Sequence, residues 1–69
     1  MTNTLALKAK IIESALTLQE IADLLGISRN SLYMKMNNKR EFTASEICKL
    51  VEILRLNPSE IVHIFLNAA

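Results

Sequence analysis

Arg29, Asn30 and Met34 fall within one short stretch, and each carries a side chain suited to a different feature of a base edge. The Arg guanidinium can donate two parallel hydrogen bonds to guanine O6 and N7. The Asn amide can pair with adenine N6 and N7, and the Met thioether offers apolar contact to a thymine methyl. Around them stand groups suited to phosphate: Lys35, Lys39 and Arg40 as cations, the Tyr33 hydroxyl, and Ser28 at a helix start, where free backbone N–H groups attract anions. Exposed Arg29 and Lys35 would also be unexceptional as solvated charge. Met34 would suit a protein contact surface equally well.

Other chemistry finds little support. His63 and Cys48 are the sole residues of their types, and neither has a partner at metal-ligand spacing. No Gly-rich phosphate loop is present, and three of the seven acids sit where helix caps need them. The expectation is a protein with no catalytic residues, no metal and no cofactor. One cysteine cannot close an internal disulfide, which suits a reducing cytoplasm. No apolar run approaches the length of a membrane-spanning helix, and the first residues lack a signal-peptide pattern, so a cytoplasmic location is expected.

Formal net charge is only +1, but its distribution is uneven. From Leu24 to Arg40 there is no acid, yet this stretch holds Arg29, Lys35, Lys39 and Arg40, half of the eight basic residues. Both flanks carry more acids than bases. A positive block between mildly acidic flanks is a local surface for anions.

The elements that must position these groups announce themselves at their starts. Leu16-Thr17 to Ile21, Ile27-Ser28 to Leu32, Phe42-Thr43 to Ile47 and Leu56-Asn57 to Ile61 each place apolar residues before a cap and four positions after it. This is the hydrophobic staple, and Glu20, Glu46 and Glu60 add a capping-box acid at the third helical position. At Ser28 that position is Ser31. An acid there ordinarily complements the helix dipole, so its absence suggests an approaching anion. With one Gly and one Pro among 69 residues, the fold expected is all-α, a single domain over 1–69.

Five helices are predicted. The first spans about Thr4 to Ser14 with an apolar stripe of Leu5, Ala9, Ile12 and then Leu16. The second follows Thr17, buries Ile21, Ala22 and Leu25, and stops at Gly26. The third follows Ser28 and ends near Asn37 and Asn38. A fourth covers about Ala44 to Leu56, burying Ile47, Leu50, Val51 and Leu54. The fifth follows Asn57, with Pro58 at its first position. In the third, Leu32 and Met36 define the buried side, so Asn30, Met34 and Asn37 point outward with Tyr33 and Ser31 on the shoulders. Arg29 and Lys35 are then expected to flank the buried stripe and reach outward. The short Gly26-Ile27-Ser28 turn between two brief helices is helix-turn-helix geometry, whose second helix can enter the major groove.

Here a family resemblance becomes visible. Leu16 to Arg40, with Thr17, Ile21-Ala22, Leu25-Gly26-Ile27-Ser28, Leu32 and Asn37-Asn38-Lys39-Arg40, resembles the helix-turn-helix of phage Cro and CI-type repressors. The likeness continues through Glu41-Phe42-Thr43-Ala44-Ser45-Glu46-Ile47, as in small regulators of temperate phages of Gram-positive bacteria. It implies a five-helix, lambda-repressor-like domain that binds double-stranded operator DNA through the third helix, usually as a dimer. Arg29, Asn30 and Met34 become the base readers and Lys39 a backbone contact. Many such repressors carry Gln directly after the second helix's cap, where it touches phosphate. Here Leu18 holds that position and Gln19 follows, so Gln19 is the candidate for the contact. Many also bury residues three apart in the third helix, which would make position 35 apolar; this chain has Lys35.

The last helix carries more apolar residues than one buried face needs. Ile61, Ile64 and Phe65 can face inward, whereas Val62 and Leu66, followed by Ala68 and Ala69, fall outside. Val62 and Leu66 are therefore expected at a weak homodimer interface, which would set two positive blocks on successive major grooves about 34 Å apart. The alternative function is of another class. Phage modulators of repression bind the DNA-binding domain of a CI-type repressor, and Leu18, Met34, Met36 and the apolar fifth helix suit that role.

Overall fold

The computed structural model describes residues 1–66, so Ala68 and Ala69 lie outside the described residues. Five α-helices and no strands occur among them: α1 (Thr4–Ser14), α2 (Leu18–Leu25), α3 (Arg29–Met36), α4 (Ala44–Ile53) and α5 (Pro58–Phe65). The helices enclose one core, in which Leu7, Ile21, Leu32, Leu50 and Ile64 are essentially inaccessible to solvent. Each helix contributes one of these five, so no pair of helices is a sufficient folding unit.

The caps form as their residue types dictate. Thr17, Thr43 and Asn57 each accept a hydrogen bond from the third helical N–H, and Glu20, Glu46 and Glu60 accept one from the cap backbone in return. Ser28 accepts from Ser31 N–H at 3.0 Å without the reciprocal bond. A fifth cap was not foreseen. Asn3 starts α1 by accepting from Ala6 N–H, and its own N–H donates to the Ile64 carbonyl at 2.7 Å, tying α1 to the end of α5. Because α1 also lacks an acid in its first turn, α3 is not the only helix start without one.

The expected inner stripe of α1 is corrected. Leu5 and Ile12 are both 79% exposed, and the residues that enter the core are Leu7 and Ile11. Both sets have helical spacing, so periodicity alone could not choose between them. The choice is made by packing against α3 and α5, which the Leu7–Ile11 side meets. Polar contacts flank that side: Lys8 Nζ reaches Asn37 Oδ1 at 3.3 Å towards α3, and Lys10 Nζ reaches Glu60 Oε2 at 2.8 Å towards α5.

The fourth helix ends earlier than its apolar pattern suggested. It stops at Ile53 because Arg55 turns left-handed (φ 53°), and Leu56 N–H then bonds back to the Val51 carbonyl. This 6→1 closure brings Leu56 into the core, where it acts as the apolar clasp of a Schellman-type ending. Leu50 and Leu54 are buried as expected, while Ile47 and Val51 are half-buried at the core's margin.

Candidate nucleic-acid interface

The short turn joining α2 to α3 is set by Gly26, which takes φ 74°. An added Cβ there would meet nothing within 4 Å, so the demand on this position comes from the backbone angle alone. The Ile27 N–H then donates to the Ala22 carbonyl, Ile27 packs on the core, and Ser28 opens α3 immediately beyond it. Ala22 is completely buried, and its small side chain lets α2 and α3 pack closely.

On α3, Leu32, Lys35 and Met36 face inward. The outer surface holds Arg29 and Asn30, both exposed, Tyr33 at 58% exposure, and half-buried Met34 and Asn37. Asn30 Nδ2 points at the Met34 sulfur at 3.7 Å, a weak contact that a better acceptor would displace. The Asn37 amide is committed: its Nδ2 donates to the Tyr33 carbonyl at 2.8 Å and its Oδ1 accepts from Lys8. Asn37 thus finishes the helix.

Lys35 requires a correction. It is 8% exposed, and its Nζ donates to both oxygens of Glu46, at 2.6 and 2.7 Å. Glu46 also accepts from Thr43 N–H as the capping-box acid of α4. The ammonium therefore ties the last turn of α3 to the first turn of α4 and is not available to a phosphate. Burial pushes the Glu46 carboxyl up, but the hydrogen bonds from Lys35 and the Thr43 backbone, with the lysine's charge, hold it below the ordinary glutamate value.

Beyond α3, Asn38 adopts the left-handed conformation (φ 59°) and exchanges two hydrogen bonds with the backbone of Thr2. Lys39 and Arg40 follow, both exposed, with Lys39 N–H anchored to the Met34 carbonyl at 2.9 Å. Arg29, Lys39 and Arg40 have no ion-pair partner among the described residues. The positive block foreseen from the sequence thus keeps three of its four charges free. Gln19 is exposed but donates to Asp23 Oδ1 at 2.9 Å, so a phosphate contact would require it to leave that bond. Val62 and Leu66 are 53% and 66% exposed on the outer side of α5. Cys48 is a free, exposed thiol on α4.

Sequence reasoning passed over one feature as a site. Leu18, at the first position of α2, stands across from Arg29, Asn30 and Tyr33, and the four line a shallow notch. The signal was present: an apolar residue at the first position of a helix whose neighbours Gln19 and Glu20 are polar.

The family described as "Protein of unknown function (DUF739)" matches residues 3–68. The chain belongs to the DUF739 family. That match takes in all five helices, so α3 and the basic loop after it are part of the DUF739 unit and not an addition to it. No curated protein matches this DUF739 chain in sequence. No helix among the described residues is long and apolar enough to cross a membrane.

Proposed function

We propose that the chain is a sequence-specific DNA-binding transcriptional regulator of the Cro/repressor type, with α2 and α3 as a helix-turn-helix and α3 as the helix that enters the major groove of phage operator DNA. The observation that carries this reading is the composition of the free surface of α3 and its following loop. Two hydrogen-bonding side chains suited to base edges, Arg29 and Asn30, lie beside Met34, and the unpaired cations Lys39 and Arg40 follow. Such a surface divides naturally into base readers and phosphate clamps. The burial of Lys35 sharpens the assignment, because the phosphate contacts then fall to Lys39 and Arg40 and to the N–H groups behind Ser28.

The test is salt-dependent binding to a duplex selected from random sequence. Affinity falls by about 0.9 log units per phosphate contact for each tenfold rise in salt. Arg29→Ala is expected to cost about 1–3 kcal/mol and relax preference at one base pair, whereas Lys39→Ala weakens every duplex alike and lowers the salt slope by about one contact. Equal losses on all sequences for both variants would remove the base-reading role of Arg29.

A second reading keeps the fold and changes the partner. The pairing of Lys35 with Glu46 reduces the free positive charge, and Leu18 and Tyr33 add apolar surface beside Met34. This favours a modulator of repression that binds a CI-type repressor's DNA-binding domain. A stoichiometric complex with such a repressor, together with no duplex binding at low salt, would replace the first reading by the second.

A further inference from the structure

The notch lined by Leu18, Arg29, Asn30 and Tyr33 combines unlike walls. One wall, on α2, is the isobutyl group of Leu18, partly packed against the core and so held in place. The other, on α3, holds the Arg29 guanidinium and the Asn30 amide together with the exposed ring of Tyr33. No acid lines the notch, and the Leu18 side chain offers no donor to a phosphate oxygen. The apolar mark a duplex presents in its major groove is the pyrimidine 5-methyl group. A guanidinium is planar and weakly hydrated, so it can stack against an apolar group while its edge donates to guanine O6 and N7.

We infer that this notch seats the 5-methyl group of a pyrimidine immediately 5′ of the guanine bound by Arg29, so that the chain selects a TpG step. Leu18 and Tyr33 enclose the methyl, the guanidinium plane covers its remaining side, and Asn30 reads the adjoining pair. TpG is also among the most deformable steps in DNA, which eases its approach to a protein wall. The inference rests on the DNA-binding reading and adds to it a specificity-determining residue, Leu18, that touches no hydrogen-bonding group of the base.

The experiment uses the full chain and a duplex selected from random sequence, with each thymine replaced in turn by deoxyuridine. One replacement, 5′ of a guanine, is expected to weaken wild-type binding about fourfold, the equivalent of about 0.8 kcal/mol for one buried methyl. 5-Methylcytosine at that position should bind more tightly than cytosine by a similar factor. Leu18→Ala and Leu18→Gln should each bind the thymine and uracil duplexes equally, and Arg29→Ala should lose the methyl response along with its guanine preference. If the wild type binds its selected duplex specifically yet no uracil replacement next to a guanine matters, the methyl seat is wrong while the DNA reading stands. If no duplex is selected or bound at low salt, both fall. The primary measurement needs no variant, so a folding defect at Leu18 cannot obscure it.

Discussion

Replacing Lys35 by Met removes the ammonium but keeps most of the aliphatic stem, which isolates the charge from the packing. The Glu46 carboxylate would remain about 11% exposed with only the Thr43 N–H to hold it. Removing one partner of a buried ion pair costs about 3–5 kcal/mol, chiefly because the survivor is left charged and poorly solvated. Water reaches this pair from the edge of a small domain, so the lower end, about 3 kcal/mol, is the expectation. For a chain of this size that lowers Tm by about 12–24 °C. The assay is urea and thermal unfolding followed by far-ultraviolet circular dichroism, at neutral pH and through the acid range.

The pH series carries the sign. In the wild type, Glu46 has a lowered folded pKa, so its contribution is present above the unfolded glutamate value and is lost as pH falls through the folded one. In Lys35→Met the carboxyl loses its main stabilising partner, burial dominates, and its folded pKa rises above the unfolded value. The variant's deficit should therefore shrink on acidification. Lys35→Met with Glu46→Gln should recover most of the loss, since Gln keeps the capping-box acceptor without a charge. A single variant within about 0.5 kcal/mol of wild type at neutral pH, with no pH-dependent gap, would refute the reasoning. The ion pair would then be solvent-screened, and Lys35 would be free for phosphate after all.

Asn38→Gly keeps the left-handed backbone but loses both hydrogen bonds to Thr2, for an expected loss of about 1 kcal/mol in urea unfolding. Asn38→Ala adds about 1 kcal/mol of left-handed strain to that, so Ala below Gly is the ordering that checks the assignment. Gly26→Ala is expected to cost about 1 kcal/mol from its backbone angle alone. Because nothing crowds the site, Gly26→Asn should cost less, as thermal unfolding would show. If α5 joins two copies, Leu66→Glu should reduce self-association in sedimentation equilibrium at high concentration while leaving Tm unchanged. A wild type that is monomeric with and without DNA would overturn that expectation.

Much of this fold was legible in the sequence because helix starts are local events. Thr17, Ser28, Thr43 and Asn57 each need only the next few residues to satisfy free N–H groups, so a staple and a capping acid specify a boundary without knowledge of the rest. Gly26 and Asn38 mark left-handed turns for the same reason. The outward face of α3 was readable from Leu32 and Met36, which placed Asn30 and Met34 opposite them. Lys35 was not readable in this way. The three-residue step from Leu32 pointed to a buried position 35, but a lysine is rarely buried unless an acid comes to meet it. That acid, Glu46, lies eleven residues away and was assigned only to its own cap.

The sequence by itself determined where helices begin, how the tight turn before α3 is made, and which residue types stand on that helix's free side. Tertiary structure alone decided that α1 buries Leu7 and Ile11 in place of Leu5 and Ile12, and that Lys35 is a tie between helices. The physical reason is the range of the interactions. Caps and turn angles are settled within four or five residues, whereas the buried face of a helix with two apolar stripes depends on neighbours brought from elsewhere in the chain. So does the state of a charge beneath that surface.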